Sequence, residues 1–465
     1  MRRAGARRCI ETRVIVAVAA VVSVASAFAA APACARPLPT TLVVPPDQHT
    51  LGIHRVTDLH LKLFTGLGNR FRDPQGLACV KLVAQDDPKT KSDDDELTVY
   101  GVNSGDASII YNDSMTSVKI WRGAMRRPRG IAADASGRVV VADTGNDRLL
   151  LLRNVAGRLS LDRAIGRRGA APGEFVAPAA VALDSRGRIY VADSGNDRVQ
   201  VLDPLGGPLT AFGAAGEGPG RLVGPSAVAV VDRKEPWSYH ARDLVIVVDR
   251  GGRRIQAFTP TGTLAHAFED SASAGRSFAH IALDYYDNVY ATDTRRSQIR
   301  KFDATLRPIA SFGERGEGDA QFIGPTGIAI WRRFGQVFVA ESTGAQYYWV
   351  GADIENFFAL PAEVAPGAAA ILAYSLTEQS LVDIDLLDRS GELLSPLVRG
   401  AFQEPGRRRA PCPAVDSTGA PLPPARYRIR LRATPTYSSK KSFRREMECA
   451  LDVVAPVGAR VGKPP

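Results

Sequence analysis

Residues 137–148 read Gly-Arg-Val-Val-Val-Ala-Asp-Thr-Gly-Asn-Asp-Arg, and related segments return at 187–198, 243–254 and 287–298. A segment that recurs along a chain is the signature of a repeat architecture. Each apolar run ends on an acid, and by subtraction of their numbers successive acids lie 44 to 56 residues apart: Asp143, Asp193, Asp249, Asp293 and Glu341. Such a period suits the blade of a β-propeller rather than a solenoid coil.

Each repeat is expected to contain four short strands. In the unit at 130–166, apolar and β-branched runs are separated by Gly, Asn, Asp and Ser, which is the pattern of strands and turns. A degenerate unit comes first, with an opening strand at 71–78 and the other strands within 97–117, and its Asn103 stands where the others have an acid. The sequence therefore predicts an all-β protein with a six-bladed β-propeller over residues 58–360.

The two ends of the repeat region are expected to meet. A sheet with a bare edge exposes unpaired N–H and C=O groups, and closing the ring protects them. We expect residues 56–65 to pair with the last blade, around 336–360.

These repeats resemble the NHL-repeat family of β-propellers. Several units carry three elements of that family together: Pro-x-Gly-Ile-Ala-x-Asp, Val-Ala-Asp-x-Gly-Asn-x-Arg and Phe-Gly-x-x-Gly. The family is known for scaffolding and recognition through the loop faces of the propeller, with protein and RNA partners, and only some relatives are enzymes. The resemblance implies a propeller, but a fold does not fix an activity.

The first 35 residues have the pattern of a secretory signal peptide. A start rich in arginine is followed by an apolar run at 14–31 and by Ala33-Cys34-Ala35, after which cleavage is expected. An uncleaved anchor is the alternative. Residues 36–57 then form an N-terminal segment, and a periplasmic, cell-surface or secreted location is predicted.

Composition indicates a globular protein of more than one domain, with 465 residues that are 45% hydrophobic. Removing five arginines and one glutamate with the leader leaves 54 basic and 48 acidic residues, a formal charge of +6. This excess is mild and argues against nucleic acid as the partner. A monomer is expected.

A second domain follows a Pro- and Ala-rich linker at 361–368. Residues 381–387 and 427–432 alternate apolar and polar side chains, which is typical of half-buried strands. Tyr-Ser-Leu at 374–376 and the Asp-x-x-Gly turn at 388–391 resemble the immunoglobulin-like domain of flagellar hook-capping proteins. The resemblance implies a β-sandwich over 369–456 that acts as a spacer or assembly module, with a tail at 457–465.

Three cysteines remain after the leader: Cys79, Cys412 and Cys449. Export permits disulfides, so Cys412 and Cys449 are the plausible pair. Cys79 lies in a predicted inner strand, where a buried thiol that fills space is the common use.

The repeated acids are interpreted as structural. A carboxylate at the end of a strand can accept N–H groups of its own turn and pair with an arginine of the next strand. The acids with such an arginine are Asp143 with Arg148, Asp193 with Arg198, and Asp249 with Arg254; Asp293 and Glu341 occupy the same place. Recurrence in every unit favours this role over a metal or catalytic site, which needs one asymmetric arrangement.

Strand directions place the turns after these acids and the links before each new unit on one face of the propeller. The cations predicted there are Arg129, Arg167, Arg168, Arg250, Arg253, Arg254, Arg295 and Arg296. Guanidinium groups suit carboxylates and phosphates, so a protein or an anionic polymer is the predicted partner. The alternative is a solvated rim balanced by Glu314, Glu317 and Asp319, and the sparse aromatic residues argue against single-stranded nucleic acid.

Two longer loops belong to the opposite face. The acidic loop 85–96 could bind calcium, but it lacks the alternating ligands and the turn glycine of a defined calcium loop. The loop 233–242 carries Trp237, Tyr239 and His240, which would form either a contact point or a plug under their own loop.

An enzyme is the rival hypothesis, because some six-bladed relatives are lyases that hold zinc with histidines at the starts of inner strands. The corresponding positions here are Gln75, Arg129, Ala179, Ser226, Ala279 and Thr326. None is histidine, and His280 is displaced by one residue. A nucleophile-elbow motif is also missing. We therefore predict no catalytic residue, metal or cofactor, and an exported recognition or scaffold protein; the alternative is a metal-dependent lyase or hydrolase that uses the central tunnel.

Overall fold

The computed structural model describes residues 40–45, 53–85, 97–112, 117–270, 275, 277–438 and 443–455. The predicted leader 1–35, all but the first residue of the acidic loop 85–96 and the tail 457–465 lie outside the described residues. Within the described residues, the regular structure is β-strands, one α-helix and short 3₁₀ turns, so the all-β prediction is confirmed.

The first elements are two short strands and a helix: β1 (Leu42–Val43), β2 (Arg55–Thr57) and α1 (Asp58–Thr65). Six sheets follow in chain order. Sheet 1 contains β3 (Pro74–Lys81), β4 (Leu97–Asn103), β5 (Ser108–Asn112) and β6 (Val118–Arg122). Sheet 2 contains β7 (Ile131–Ala133), β8 (Arg138–Asp143), β9 (Arg148–Val155) and β10 (Arg158–Ile165). Sheet 3 contains β11 (Pro178–Leu183), β12 (Ile189–Asp193), β13 (Arg198–Leu202) and β14 (Pro208–Phe212).

The remaining sheets of this region follow the same order. Sheet 4 contains β15 (Ala227–Val231), β16 (Leu244–Asp249), β17 (Arg254–Phe258) and β18 (Leu264–Glu269). Sheet 5 contains β19 (Phe278–Leu283), β20 (Val289–Asp293), β21 (Gln298–Phe302) and β22 (Pro308–Phe312). A short parallel pair, β23 (Glu314–Arg315) and β24 (Gln321–Phe322), precedes sheet 6. Sheet 6 contains β25 (Pro325–Trp331), β26 (Gln336–Glu341) and β27 (Gly344–Val350), together with β1 and β2.

The sheets form a closed ring. The first strand of each sheet contacts the first strand of the next, and β25 contacts both β19 and β3. Neighbouring sheets also pack face to face, as where Tyr100 and Val102 of sheet 1 share a core with Val139 and Val141 of sheet 2. Sheets that radiate from a ring of inner strands make a β-propeller.

Two N-terminal strands close this ring. Leu42 pairs with Val350, and Arg55 to Thr57 pair with residues 346 to 344 of β27. The expected pairing of residues 56–65 is wrong beyond Thr57, because helix α1 begins at Asp58. The helix buries Leu61 and leaves its other leucines outside, so it follows a helical rather than a strand pattern.

Sheet 1 is shifted from its predicted bounds. Its opening strand begins at Pro74 and not at residue 71, because Asp73 has a φ of 51° and interrupts the extended backbone. Its fourth strand, β6, lies beyond the predicted end at residue 117. Asn103 replaces the repeated acid, and its Oδ1 accepts the N–H of Arg72 at 2.6 Å.

Two facing sheets form the C-terminal part of the described chain. The first has the order β28 (Ile354–Leu360), β30 (Ala369–Leu376) and β33 (Gly406–Pro413). The second has the order β29 (Glu363–Val364), β35 (Arg445–Val453), β34 (Ala425–Pro435), β31 (Ser380–Leu387) and β32 (Leu393–Gln403). Their inner faces bury Leu372, Ile384 and Leu431 in one core.

The predicted boundary after Leu360 does not agree with this strand pairing. Strand β28 pairs with β30, and β29, inside the predicted linker 361–368, pairs with β35. The reason is that Phe357 and Ala359 alternate into the core of the facing sheets, and an irregularity between Glu355 and Phe358 brings Ile354 to the same side. This part of the chain therefore begins near residue 354.

The three cysteines of the described residues, Cys79, Cys412 and Cys449, are free thiols. Cys412 in β33 and Cys449 in β35 belong to opposite sheets and pack into the same core. Burial raises the pKa of Cys412 to about 12, and the nearby Cys449 adds to the shift. The disulfide between them is not formed in the structure and stays a prediction for an oxidising compartment.

Tyrosines join the C-terminal sheets to the propeller. Tyr437, after β34, stacks on Tyr285 in the turn between β19 and β20, with ring centroids 5.0 Å apart. The hydroxyl of Tyr239 donates to Glu404 at 2.9 Å, and the hydroxyl of Tyr286 accepts the N–H of Gln379 at 3.0 Å. The loop 233–242 is thus a contact point within the chain, not only a plug under itself.

A buried ionic cluster lies beside these tyrosines. Lys301 of sheet 5 donates to Asp353 at 2.9 Å, and Asp284 and Glu378 complete a group of three carboxyls around one ammonium. Both Glu378 oxygens accept from the hydroxyl of Ser438, at 2.7 and 2.8 Å. Burial raises the pKa of Glu378 to about 8 against the opposing influence of Ser438 and Lys301.

The raised pKa makes stability depend on pH. Between its ordinary pKa of 4.5 and about 8, the folded chain keeps a proton on Glu378 that the unfolded chain releases. Stability from this group is therefore lost as pH rises through that window. Because glutamine cannot ionise, Glu378→Gln should gain stability over the wild type from pH 5 to pH 8, by about 1 kcal/mol per pH unit, in urea unfolding. Glu363→Gln, at an exposed site, is the control, and an equal gain at both pH values would contradict the expectation.

Candidate functional site

One face of the propeller is built from turns that lie against the links between sheets. The N–H of Gly145, between β8 and β9, donates to the carbonyl of Arg126 at 2.8 Å, and Gly195 donates to Val176 in the same way. We call this the link face; it consists of the turns 144–147, 194–197, 250–253 and 294–297 and the links before each first strand.

The repeated acids hold these links in place. Asp193 is completely buried, and its carboxylate accepts the N–H of Val176 at 2.8 Å. It also accepts from Asn196 at 2.9 Å, Arg198 at 2.8 Å and Gln200 at 3.0 Å. Oδ1 accepts one of these bonds and Oδ2 accepts the other three, so the carboxylate is engaged from within the fold.

The arginine partner varies around the ring. Asp143 pairs with Arg148 at 2.9 Å, and Asp249 pairs with Arg254. Asp293 has Gln298 opposite it and accepts the N–H groups of Ser277 and Arg296, both at 3.2 Å. Glu341 pairs with Arg55 of β2, far away in sequence. The expected partner in the following strand is therefore present in sheets 2, 3 and 4.

A structural role for a second pair of acids, Asp147 and Asp197, was not predicted from the sequence. Asp147 and Asp197 both have a φ of 52°. Asp147 accepts the N–H of Ala177 at 2.7 Å, and Asp197 accepts that of Gly224 at 2.7 Å. Each turn is thus tied to the link of the next sheet. The detectable signal is their fixed place after Gly-Asn in both repeats.

The structure removes Arg254 from the predicted basic patch. Its side chain is 3% exposed, because it pairs with Asp249 and donates to the carbonyl of Arg221 at 2.8 Å. Arg250 pairs with Glu217 and Glu269 and is also largely covered.

Two further arginines of the patch have carboxylate partners at the surface. Arg167 pairs with Glu174 at 2.9 Å, and Arg168 pairs with Asp147 at 3.0 Å. The same contact lowers the pKa of Glu174, with the hydrogen bond from Arg167 as the largest cause. Their charges are therefore partly balanced locally.

The other four predicted arginines, Arg129, Arg253, Arg295 and Arg296, are exposed on the link face, as Arg167 and Arg168 are. The backbone of Arg129 is held between sheets, since its carbonyl accepts the N–H of Gly76 at 2.9 Å. Exposed Arg126 and Arg127 lie in the same link and extend the positive charge toward sheet 1. The three arginines within residues 126–129 are visible in the sequence, but the comparison of the repeats did not single them out.

The opposite face holds a cavity of about 790 Å³. Its lining includes Cys79, Asp134, Asp184, Arg186, Trp237 and Arg332. Cys79 is half-buried there, and desolvation raises its pKa to about 12, so the thiol stays protonated. The thiol is thus unreactive, as expected of a structural cysteine, but it lines the cavity and is not fully buried as predicted.

The described part of the channel contains no group of three or more His, Cys, Asp or Glu side chains placed to hold a metal ion. His280, in β19, has no hydrogen-bond partner at Nδ1, and desolvation lowers its pKa to about 4. At the neighbouring inner-strand position of sheet 6, Thr326 donates to the carbonyl of Pro74 at 2.6 Å and so joins two sheets. The contact of Thr326 is structural.

Comparison with known proteins gives likenesses at low identity. Virginiamycin B lyase from Staphylococcus aureus is 13% identical, with a TM-score of 0.38, over 54% of this chain and 76% of the lyase. A gluconolactonase from Xanthomonas campestris is 16% identical, with a TM-score of 0.43, over 68% of this chain and 100% of that enzyme. The Cps50 (Swd1) β-propeller domain from Myceliophteria thermophila is 11% identical, with a TM-score of 0.41, over 59% of this chain and 82% of that domain.

At these TM-scores the likenesses carry no weight for an activity. No curated protein matches the chain significantly. Among the described residues, no helix reaches the length and apolar character of a membrane span. Two stretches, residues 125–150 and 175–202, match the NHL repeat, and this β-propeller therefore contains NHL repeats.

Proposed function

We propose that this protein is an exported, non-catalytic recognition or scaffold protein. Its propeller has six blades, and the C-terminal sheets form an immunoglobulin-like β-sandwich that spaces or anchors it. One observation carries the proposal: the repeated acids are buried and occupied by their own links, while arginines of the same face are exposed. The face can thus offer positive charge without offering a catalytic carboxylate.

The partner that fits this face is an acidic protein segment or an anionic polymer. Exposed guanidinium groups form paired hydrogen bonds with carboxylates and phosphates. The chain acts as a monomer in a periplasmic, cell-surface or secreted location, where its leader directs it. Nucleic acid fits less well, since the excess of positive charge is mild.

Reversing two of the exposed charges tests the proposal. Arg253→Glu combined with Arg295→Glu should weaken retention on a sulfated polysaccharide matrix by roughly tenfold, because two attractions of about 0.5 kcal/mol or more become repulsions. Retention should be measured as a function of salt, since exposed ion pairs are screened.

The matched control places the same change in charge on the C-terminal sheets. Arg407→Glu with Arg409→Glu alters two exposed arginines of β33 and should leave retention unchanged. Equal loss in both double variants would mean that net charge and not the link face binds the matrix, and the proposal would be abandoned.

A metal-dependent lyase or hydrolase that uses the channel is the second candidate. The cavity of about 790 Å³ on the face opposite the link face favours it, because a small substrate could enter there. Metal analysis of the purified protein separates the two. Stoichiometric zinc or calcium that is lost in a His280→Ala variant would favour the enzyme.

A further inference from the structure

Helix α1 and the turn after it display apolar side chains to solvent. Leu59, Leu63 and Phe64 are 63%, 67% and 55% exposed, and Leu67 is 88% exposed. Leu67 is the most exposed large apolar side chain in the described part of the chain. Such clustered exposure marks an interaction surface rather than a chance surface residue.

This segment is held firmly in its exposed position. Leu61 is 1% exposed and fixes the helix to the propeller. Asn69 donates to the carbonyl of Thr65 at 2.8 Å, and Arg122 of β6 donates to Asn69 at 2.8 Å. The carboxylate of Asp58 accepts the N–H of Phe71 at 2.8 Å. The apolar side chains are thus presented by an anchored element.

Positive charge lies on the side of this apolar surface that faces sheets 1 and 2, although Arg122 there also pairs with Asp106 at 3.0 Å. The segments 58–73 and 122–129 meet through the contact of Arg122 with Asn69, and both precede first strands on the link face. Together they carry two carboxylates, Asp58 and Asp73, against seven cations: Lys62, Arg70, Arg72, Arg122, Arg126, Arg127 and Arg129. Exposed apolar side chains with basic side chains beside them match a lipid bilayer, whose apolar acyl chains lie beneath anionic headgroups.

We propose that this rim binds an anionic membrane surface. Leucine and phenylalanine side chains enter the boundary between headgroups and acyl chains, and basic residues near an anionic bilayer are attracted to its surface. A lipid layer accepts projecting side chains one by one, whereas a protein partner would need a preformed groove. The inference shares Arg126, Arg127 and Arg129 with the link face of the proposed function, but it goes beyond that function because it depends on the exposed apolar side chains of α1 and names a lipid surface as the partner.

Vesicle flotation tests the inference with the full chain. The wild type should float with phosphatidylglycerol vesicles and not with phosphatidylcholine vesicles. Leu63→Asp combined with Leu67→Asp should lower the bound fraction at least tenfold, and Arg126→Glu with Arg127→Glu should do the same. Circular dichroism checks that each variant is folded.

The control pair lies away from this rim. Val155→Asp with Leu209→Asp changes side chains that are 65% and 55% exposed in sheets 2 and 3, and binding should stay at the wild-type level. The inference is overturned if the wild type fails to bind phosphatidylglycerol, if the control pair weakens binding equally, or if only a protein partner responds to the Leu63 and Leu67 changes. The Arg253 and Arg295 variant should still bind vesicles, so failure here is distinguishable from failure of the proposed function.

Discussion

Lys301→Met should destabilise the protein by about 3 to 5 kcal/mol, which is the range for removing one partner of a buried ion pair. Lys301 is 1% exposed and pairs with Asp353 at 2.9 Å. Although burial alone would lower the pKa of Lys301, Asp353 and Asp284 raise it, so the ammonium is charged in the folded state. Methionine keeps the length of the side chain but leaves the carboxyls without a cation.

The loss should be larger at pH 8 than at pH 5, because acid protonates the carboxyls whose pKa burial has raised, those of Glu378, Asp353 and Asp284. Urea unfolding at both pH values measures this difference. Lys234→Met, at an exposed site, is the control. A loss below about 1 kcal/mol, which is typical of exposed pairs, would mean that the cluster is not closed to water.

The same variant reports on the coupling of the two parts of the chain. Lys301 belongs to sheet 5, and Asp353 and Glu378 flank the C-terminal strands β28 and β30. Weakening the cluster should therefore separate one unfolding transition into two in calorimetry. If the variant instead shows one unfolding transition at a lower temperature, the cluster stabilises the propeller without coupling it to the C-terminal sheets.

Asp193→Ala should cost about 3 to 5 kcal/mol and leave anion binding unchanged. The carboxylate accepts from Val176, Asn196, Arg198 and Gln200, and its loss leaves buried donors without partners. Thermal melting measures the first effect, and retention on the sulfated matrix at a temperature where the variant is folded measures the second.

A conservative and a surface variant bracket this result. Asp193→Asn keeps an acceptor but loses the charge that faces Arg198, so it should fall between alanine and the wild type. Asp162→Ala, on the outer strand of sheet 2, should melt like the wild type. An unchanged melt with lost retention in Asp193→Ala would reassign the acid from structure to binding.

The sequence alone determined the repeat unit, the strand pattern of the repeats and the place of the repeated acids at strand ends. These features are local: apolar alternation places strands, and Asp193 accepts the N–H of Val176, 17 positions before it. The regular spacing of the acids also predicted that the turns and links lie on one face, because consecutive antiparallel strands of a blade alternate in direction.

Only the tertiary structure decided which arginines are available and how the chain ends are used. Arg253 and Arg254 are neighbours, yet packing buries Arg254 beside Asp249 and leaves Arg253 exposed. Arg55 meets Glu341 only because the ring closes. The cluster around Lys301 likewise joins residues of the propeller and of the C-terminal sheets. Such pairs form only through long-range packing, so the local spacing of residues in the sequence does not reveal them.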